Sequence, residues 1–571
     1  MVGMYIATVP NRSSPPAILL REGYREGGKV KSRTLANLSK LPPEAIDALR
    51  RVLKGEKLVN ADNAFEVVAS LHHGHVQAVL DAMRRLGLAN LIASRPSRQR
   101  DLVLAMIAAR ILEPGSKLGT TRWWQITTLP TLLGVSDADE DELYDAMDWL
   151  LERQPLIEKK LAARHLHNDG MALYDLSSSY FEGATCPLAA LGHNRDGKKG
   201  KLQVNYGLLT DLRGVPVAVS VFKGNTGDPV TLLPHVKKVR EEFGIERFVL
   251  VGDRGMITQK QIDALGQIDG MDWIAALRPE AIRKLLAGGA LQLGLFDERN
   301  LFELAHPDFP GERLVACRNP ELAKRRAHKR TSLLEATAAE LEKVRGMVAR
   351  GRLCGQDNIG VRAGKVVNKY KVAKHFELVI EDARFAFEID SDSVRAEAAL
   401  DGIYVIRTSL PEDRMGAEDA VRSYKRLSQV ERAFRSFKTL DLEIRPIHHR
   451  LERRVRAHIF LCMLAYYVQW HMIEAWRPLL FCDEDLPAKT TRDPVAPARR
   501  SRAALHKVHS KTLDDGSKAH SFHTLLKLLS GIVRNTCRIP GAPADASPFD
   551  VVTTPDATQQ RAYQLIETIR P

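Results

Sequence analysis

Cysteine is scarce in this 571-residue chain: six in all, Cys186, Cys317, Cys354, Cys462, Cys482 and Cys537. No two stand at zinc-finger spacing, which argues against both a disulfide framework and a structural zinc site. The N-terminus has no long apolar stretch of the kind that leads a secreted chain. The most apolar run, Ile459 to Val468, is too short to cross a bilayer and is bracketed by His458, Gln469 and His471. It predicts a buried core helix, no membrane association and a cytosolic protein. Acidic charge is also in deficit, with 70 Asp and Glu against 84 Lys and Arg, a net charge of +14 and a pI of about 9.4. An acidic partner is expected. The positive charge is patchy, at Arg95–Arg100, Lys198–Lys201, Lys324–Arg330, His448–Arg456 and Arg499–Lys511. Distributed patches suit a protein that follows a phosphate backbone, although any one of them alone reads equally as solvated surface.

The chain is too long for one ordinary core and predicts several domains, with 44% hydrophobic residues to fill them. One stretch organises the rest. Tyr424–Lys438 has no Gly or Pro, and Leu427, Val430, Phe434 and Phe437 recur at the amphipathic helical period. Tyr424, Glu431 and Lys438 lie seven apart, so they stay aligned to within roughly 20° per step, with Ser428 and Arg435 on the same polar side. Taken alone, a solvated face with Glu–Arg pairs explains this stretch as well. Upstream, Ala172-Leu-Tyr-Asp175-Leu reads as a short buried strand ending at an aspartate. Arg247-Phe-Val-Leu-Val-Gly-Asp253-Arg-Gly reads as a second, with Gly252 and Gly255 bracketing the turn. Open α/β sheets place their sites at such strand ends, though a single Asp there also caps helices. Three convergent carboxylates need a counter-charge, and hard divalent cations with oxygen ligands, magnesium or manganese, supply it.

Together Asp175, Asp253 and Glu431 resemble the DDE triad of bacterial insertion-sequence transposases. The helix resembles their Y-R-E-K signature at Tyr424, Glu431 and Lys438, with Leu427 in the arginine position and Arg426 one place earlier. One residue is about 100° around a helix, so Arg426 is not an automatic substitute. Val221-Phe-Lys-Gly-Asn225-Thr-Gly-Asp228 is similar to the family's loop between the two aspartate strands. The resemblance runs over roughly residues 60 to 480. It implies an RNase H-like core and two Mg2+ or Mn2+ ions held by Asp175, Asp253 and Glu431. It further implies cleavage at element ends with strand transfer into target DNA. Tyr424, Lys438, Arg426 and Arg435 are then the DNA contacts. The implied partners are double-stranded DNA, both terminal inverted repeats and target, and a second copy of the chain on that DNA. The implied setting is a bacterial cytoplasm, at the nucleoid. Glu182 and Asp228 are alternative carboxylates. Two other readings remain open: a nuclease of the same fold that never joins strands, and an inactive DNA-binding relative.

The expected fold is α/β, an RNase H-like mixed sheet flanked by helices and interrupted by a mostly β insertion, after a helical DNA-binding region. Residues 1–60 predict a basic β-hairpin module around a Gly-Gly turn, and 61–168 the helical region, with a strong stop at Glu113-Pro-Gly. Residues 169–282 predict the first part of the core, three antiparallel strands and then two separated by helices. Residues 283–412 are the expected insertion, where Lys365, Lys369, Lys371 and Lys374 read as a hairpin that lines DNA or is merely solvated. Residues 413–480 complete the core. Residues 481–571 form a basic C-terminal region, flexible over its Pro-, Arg- and Lys-rich part, 483–520, with a short helix from Phe522.

Overall fold

The computed structural model describes residues 3–12, 14–56, 64–294, 296, 299–484, 492–496, 499–540, 543 and 547–571. They divide into two compact units, residues 1–71 with 533–553 and residues 72–532 with 554–571.

In the first unit, β1 (Gly3–Val9), β2 (Ala17–Glu26) and β3 (Lys29–Asn37) form an antiparallel meander. Gly27 and Gly28 close the β2–β3 turn at φ 56° and 79°, the pair of left-handed residues that a tight hairpin requires. A helix, α1 (Pro43–Leu53), follows. β4 (Glu66–His72) joins β15 (Val533–Arg538) and β16 (Phe549–Val552) in a second small sheet, in the order β16-β15-β4. The N-terminal module is thus more than the expected hairpin, and its expected boundary at residue 60 lies outside the described residues.

The second unit is built on an eight-stranded mixed sheet. Its strands are β5 (Gly170–Tyr180), β6 (Gln203–Thr210), β7 (Pro216–Lys223), β8 (Phe248–Gly252), β9 (Met271–Ala276), β10 (Leu301–Leu304), β11 (Arg313–Arg318) and β14 (Ile403–Thr408). They lie in the order β10-β11-β14-β9-β8-β5-β6-β7. β5, β8 and β9 are parallel, and the other pairings are antiparallel. Every residue of β6 and β8 is buried, because helices cover both faces. Alternation sorts the side chains. Ala172, Tyr174, Leu250 and Trp273 pack on helices Leu232–Lys237 and Gln259–Leu265. Leu173, Val249, Val251 and Ile274 pack on the opposite, larger core. That core includes α2 (Arg98–Leu112), α3 (Lys117–Trp124), α4 (Glu140–Glu152) and the long α9 (Glu452–Ala475). α9 is buried almost all round, as its apolar run predicts, and among the described residues no helix is long and apolar enough to cross a membrane.

Residues 283–412 depart from the expected β insertion. β10, β11 and β14 extend the main sheet. Between β11 and β14 stand α5 (Pro320–Ala349), α6 (Gln356–Lys369) and the hairpin β12 (Phe376–Glu381) with β13 (Arg384–Ile389), around a small core of their own. The 30 residues of α5 alone outnumber the strand residues of this stretch. Its charges stabilise a helix rather than a strand, through pairs such as Glu340–Lys343 and Glu342–Arg345. Lys365 and Lys369 lie on α6, not on a hairpin.

The Tyr424–Lys438 stretch is not one uniform helix. α7 (Ala417–Lys425) and α8 (Leu427–Arg435) meet at Arg426, whose N–H is shared between the carbonyls of Arg422 (3.2 Å) and Ser423 (3.1 Å), tightening the turn. From Ser436 to Leu440 the turn widens into a π-helix. At the C-terminus, residues 485–491 and 497–498 of the segment expected to be flexible lie outside the described residues. Its described part includes a regular helix, Arg502–Ser510, capped by Ser501.

Candidate active site

Parallel pairing of β5 with β8 runs from Gly170↔Phe248 to Tyr174↔Gly252. The next residue on each strand is a carboxylate, Asp175 and Asp253. They are neighbours because β8 stops at Gly252. β5 does not stop: it continues to Tyr180, pairing only with β6. Asp175 therefore sits inside a strand, not at the end the sequence suggested, and what opens space beside it is the end of the neighbouring strand. It shares a face with Leu173, the face on which Val430, Ala433 and Phe434 of α8 pack. The polar side of α8 then carries Glu431 to the same opening. Asp175, Asp253, Tyr424, Lys425, Leu427, Ser428 and Glu431 line one open cleft.

The three carboxylates differ in surroundings. Asp175 is half-buried and accepts the Leu176 N–H at 2.8 Å. Burial, with the Asp253 and Glu431 charges adding to it, pushes its carboxyl up to about 7 against the pull of that N–H and of Arg195. Asp253 is exposed and accepts from the Tyr424 phenol at 3.3 Å and the Gly255 N–H at 3.4 Å. Burial and Asp253 hold the Tyr424 phenol well above its usual value, so it is a proton donor here. Glu431 is exposed and, among the described residues, makes no ion pair; Arg435, one turn on, makes none either. The Glu–Arg pairing that would have explained this helix face as ordinary surface is absent from it.

Other expected contacts lie elsewhere. Lys438 does not line the cleft: it pairs with Asp196 at 2.9 Å, and Arg445 reaches the same carboxylate at 2.5 Å. The widened turn at Ser436–Leu440 accompanies this departure from the seven-residue alignment. Arg426 is half-buried at the helix junction, and Leu427, in the signature's arginine position, is in the core at 9% exposure. A cation there would be buried, so the aliphatic residue follows from packing. Glu182 is neutralised by Lys201 at 2.9 Å and Asp228 by Arg195 at 2.5 Å. Arg195 and Asp196 escaped the sequence reading. Both belong to the polar loop His193-Asn-Arg-Asp-Gly-Lys-Lys-Gly-Lys201, whose one visible signal was its lysines. Arg195 is close enough to act on Asp175, and its Nη1 is buried without a partner.

Among the described residues, no three His, Cys, Asp or Glu side chains are drawn together closely enough to hold an ion as they lie. The donor set nonetheless fits a hard divalent cation. It offers carboxylate and hydroxyl oxygens and no imidazole or thiolate, and one carboxyl holds its proton to about 7 beside two like charges.

The family described as "Transposase DDE domain" matches residues 186–468, and "IS1634 family transposase, N-terminal domain" matches residues 6–64. The chain belongs to the DDE transposases of insertion sequences. The DDE match to the transposase takes in Asp253, Tyr424, Glu431 and Lys438 and starts beyond Asp175. Among curated proteins none matches. Among solved structures the transposase is similar to "piggyBac transposase synaptic complex with hairpin DNA", at 10% identity over 80% of this chain and 77% of that one, with a TM-score of 0.33.

Proposed function

We propose that this transposase cuts the ends of its insertion sequence and joins them to target DNA at the cleft of Asp175, Asp253 and Glu431. The observation that carries the assignment is that three carboxylates, on β5, just after β8 and on α8, face one opening, with Glu431 free of any ion pair among the described residues. These residues would hold two Mg2+ or Mn2+ ions. Bound there, such ions supply Lewis-acid stabilisation of the phosphodiester oxygens and activation of a water or 3′-hydroxyl. The protein's own groups do the positioning. Asp175 is fixed within the sheet. Asp253 is oriented by the Tyr424 hydroxyl and the Gly255 N–H. Arg426 and Arg435 offer cations to the phosphates of the bound strand, and Lys438 with Arg445 leaves one net positive charge on Asp196. An RNase H-like core is supported by the order β7-β6-β5-β8-β9 within the sheet, three antiparallel strands followed by two parallel to the first. The stretch after β9, through β14, reads as an insertion that adds strands to that sheet. A homodimer on DNA follows from the need to join two ends.

The test is cleavage of supercoiled DNA carrying the sequence that flanks this gene, with Mg2+ or Mn2+, beside Asp253→Asn and Glu431→Gln proteins. Cuts at the element boundary and joined products, both lost in the two variants and on chelation, are expected. Cutting that persists in the variants overturns the site. Cutting that never yields joined products leaves a nuclease.

A further inference from the structure

Away from the catalytic cleft, the large core of the second unit contains a cluster of basic side chains with no carboxylate among them. Arg110 ends α2, Lys117 opens α3, His449 lies in the irregular segment before α9, and His458 is on α9. Arg110, Lys117 and His458 are 7%, 3% and 5% exposed; His449 is half-buried. Among the described residues, no carboxylate lies within ion-pair distance of any of the four. Asp148 is engaged by Arg453 (3.2 Å) and Arg454 (3.8 Å). Arg110 donates to the carbonyl oxygens of Gly115 (3.0 Å) and Leu442 (3.5 Å), which orient it without neutralising it. The rings of His449 and His458 are 4.9 Å apart, and the Nδ1 of His458 is buried with no partner. The Lys117 ammonium makes no hydrogen bond among the described residues. Burial, with Arg110 beside it, pulls its ammonium down to about 7; burial and the cations pull His449 down to about 3.

Gathering four basic side chains in a protein interior is costly unless an anion completes them. The donors come from four separate places in the fold and leave a hydrogen-bonding atom unused. Exposed residues border the cluster in sequence, Gly115 and Ser116 before Lys117, His448 and Arg450 on either side of His449. We propose that Arg110, Lys117, His449 and His458 form a receptor for one phosphate oxyanion, and that a backbone phosphate of the transposase's DNA fills it. The proposal rests on the DNA-processing reading above. An anion there reverses the sign of the local field, so Lys117 and His449 take up protons as DNA binds. The site anchors the duplex independently of the catalytic carboxylates.

The experiment measures affinity for a duplex copied from the DNA flanking this gene, over a range of salt, for wild type, Lys117→Met and His449→Gln. Losing a whole phosphate contact lowers the slope of log K against log[salt] by about 0.9, or affinity by about eightfold at 0.1 M salt, and Lys117→Met, which leaves Arg110 in place, should lose a measurable part of that. Its thermal midpoint without DNA should stay the same or rise, since a buried charge has gone. His449→Gln, at the half-buried rim, should also lose part of that slope and serves if Lys117→Met does not fold. Folded variants with wild-type slope overturn the proposal. Inorganic phosphate is added against chloride at matched ionic strength in the thermal melts. A midpoint raised by phosphate in wild type and not in Lys117→Met, with unchanged DNA slope, assigns the site to the free ion and overturns the DNA source. Wild type that binds no DNA refutes the functional reading instead.

Discussion

Replacing Glu312 by Ala should loosen the edge of the sheet that leads into the active site. Glu312 and Arg407 are 1% and 7% exposed, and the guanidinium spans both carboxylate oxygens, with Nε to Oε2 at 2.6 Å. Trp273 on β9 donates to the same oxygen at 3.4 Å. The pair thus joins β14, the residue just before β11 and the edge of the parallel strands. Without Glu312, Arg407 keeps one partner, Gln259 Oε1 at 2.9 Å, and a buried charge is left uncompensated. Breaking a buried pair from one side costs about 3–5 kcal/mol, whereas replacing both partners by apolar residues of similar size is often neutral. Native-state hydrogen exchange isolates the effect, because in a chain of two units a global unfolding midpoint mixes several transitions. At about 4 kcal/mol, and about 1.4 kcal/mol per factor of ten, the amides of β11 and β14 should exchange nearly a thousandfold faster in Glu312→Ala. Those of β6 should not change. The Glu312→Met, Arg407→Met double variant should return to within about tenfold of wild type. Since α7, which carries Tyr424, follows β14 directly, DNA cleavage should fall in the single variant and recover in the double. Exchange in β14 within threefold of wild type, or a double variant worse than the single, would refute the reasoning.

Gly207 has no room for a side chain, because a Cβ there would lie 2.2 Å from the Tyr174 hydroxyl oxygen. Gly207→Ala should cost about 1–3 kcal/mol by overpacking, read as faster exchange in β5 and β6. His235 is buried against the Tyr174 ring (4.2 Å between centroids) with neither ring nitrogen bonded. Burial and Lys238 lower its pKa to about 3. The unfolded chain takes up that proton first, near 6.5, so this group's contribution is complete above that pH and is lost as pH falls. His235→Leu should remove about 2 kcal/mol of the stability loss between pH 7 and pH 5, measured by denaturant titration at both. The two cations of the signature helix should behave differently in a salt titration of DNA binding. Arg435→Ala, with no ion pair to lose among the described residues, should lower the slope by about 0.9. Lys438→Met should lower it by about half as much, because Lys438 shares the Asp196 carboxylate with Arg445 and one of their two charges is neutralised.

The parts of the site that were legible in the sequence are those written in local period. Val249, Val251 and Asp253 announce a buried strand that ends in a carboxylate, and Leu427, Val430 and Phe434 announce which side of α8 is buried. Both signals depend only on residues within about two helical turns or one strand. Asp175 was legible as a residue but not as a position: that β5 runs past it to Tyr180 depends on pairing with β6, a non-local fact. The same holds for Lys438. Its seven-residue spacing from Glu431 is visible, whereas the widened turn and the salt bridge to Asp196 depend on a loop more than two hundred residues earlier. The stretch 283–412 misled for a related reason. Short β-branched runs such as those of β11 and β14 look alike whether they build a separate module or extend an existing sheet; the choice lies in the edge of β9, which is not in the runs themselves.

That edge also accounts for the arrangement of the cleft. β9 left uncovered would present unpaired backbone groups beside a site that must admit DNA. Covering it with β14 satisfies those groups and brings the chain back next to the carboxylates just before α7 begins. The long stretch between β8, which ends at Gly252, and α7, which begins at Ala417, is therefore not neutral baggage on the core. Its last strand sets where Tyr424 enters the cleft, and Tyr424 in turn orients Asp253. Shortening the α5–α6 excursion while keeping β11 and β14 should preserve the carboxylate geometry, whereas removing β14, whose Ile403 and Tyr404 line a pocket with Asp253 and Tyr424, should not.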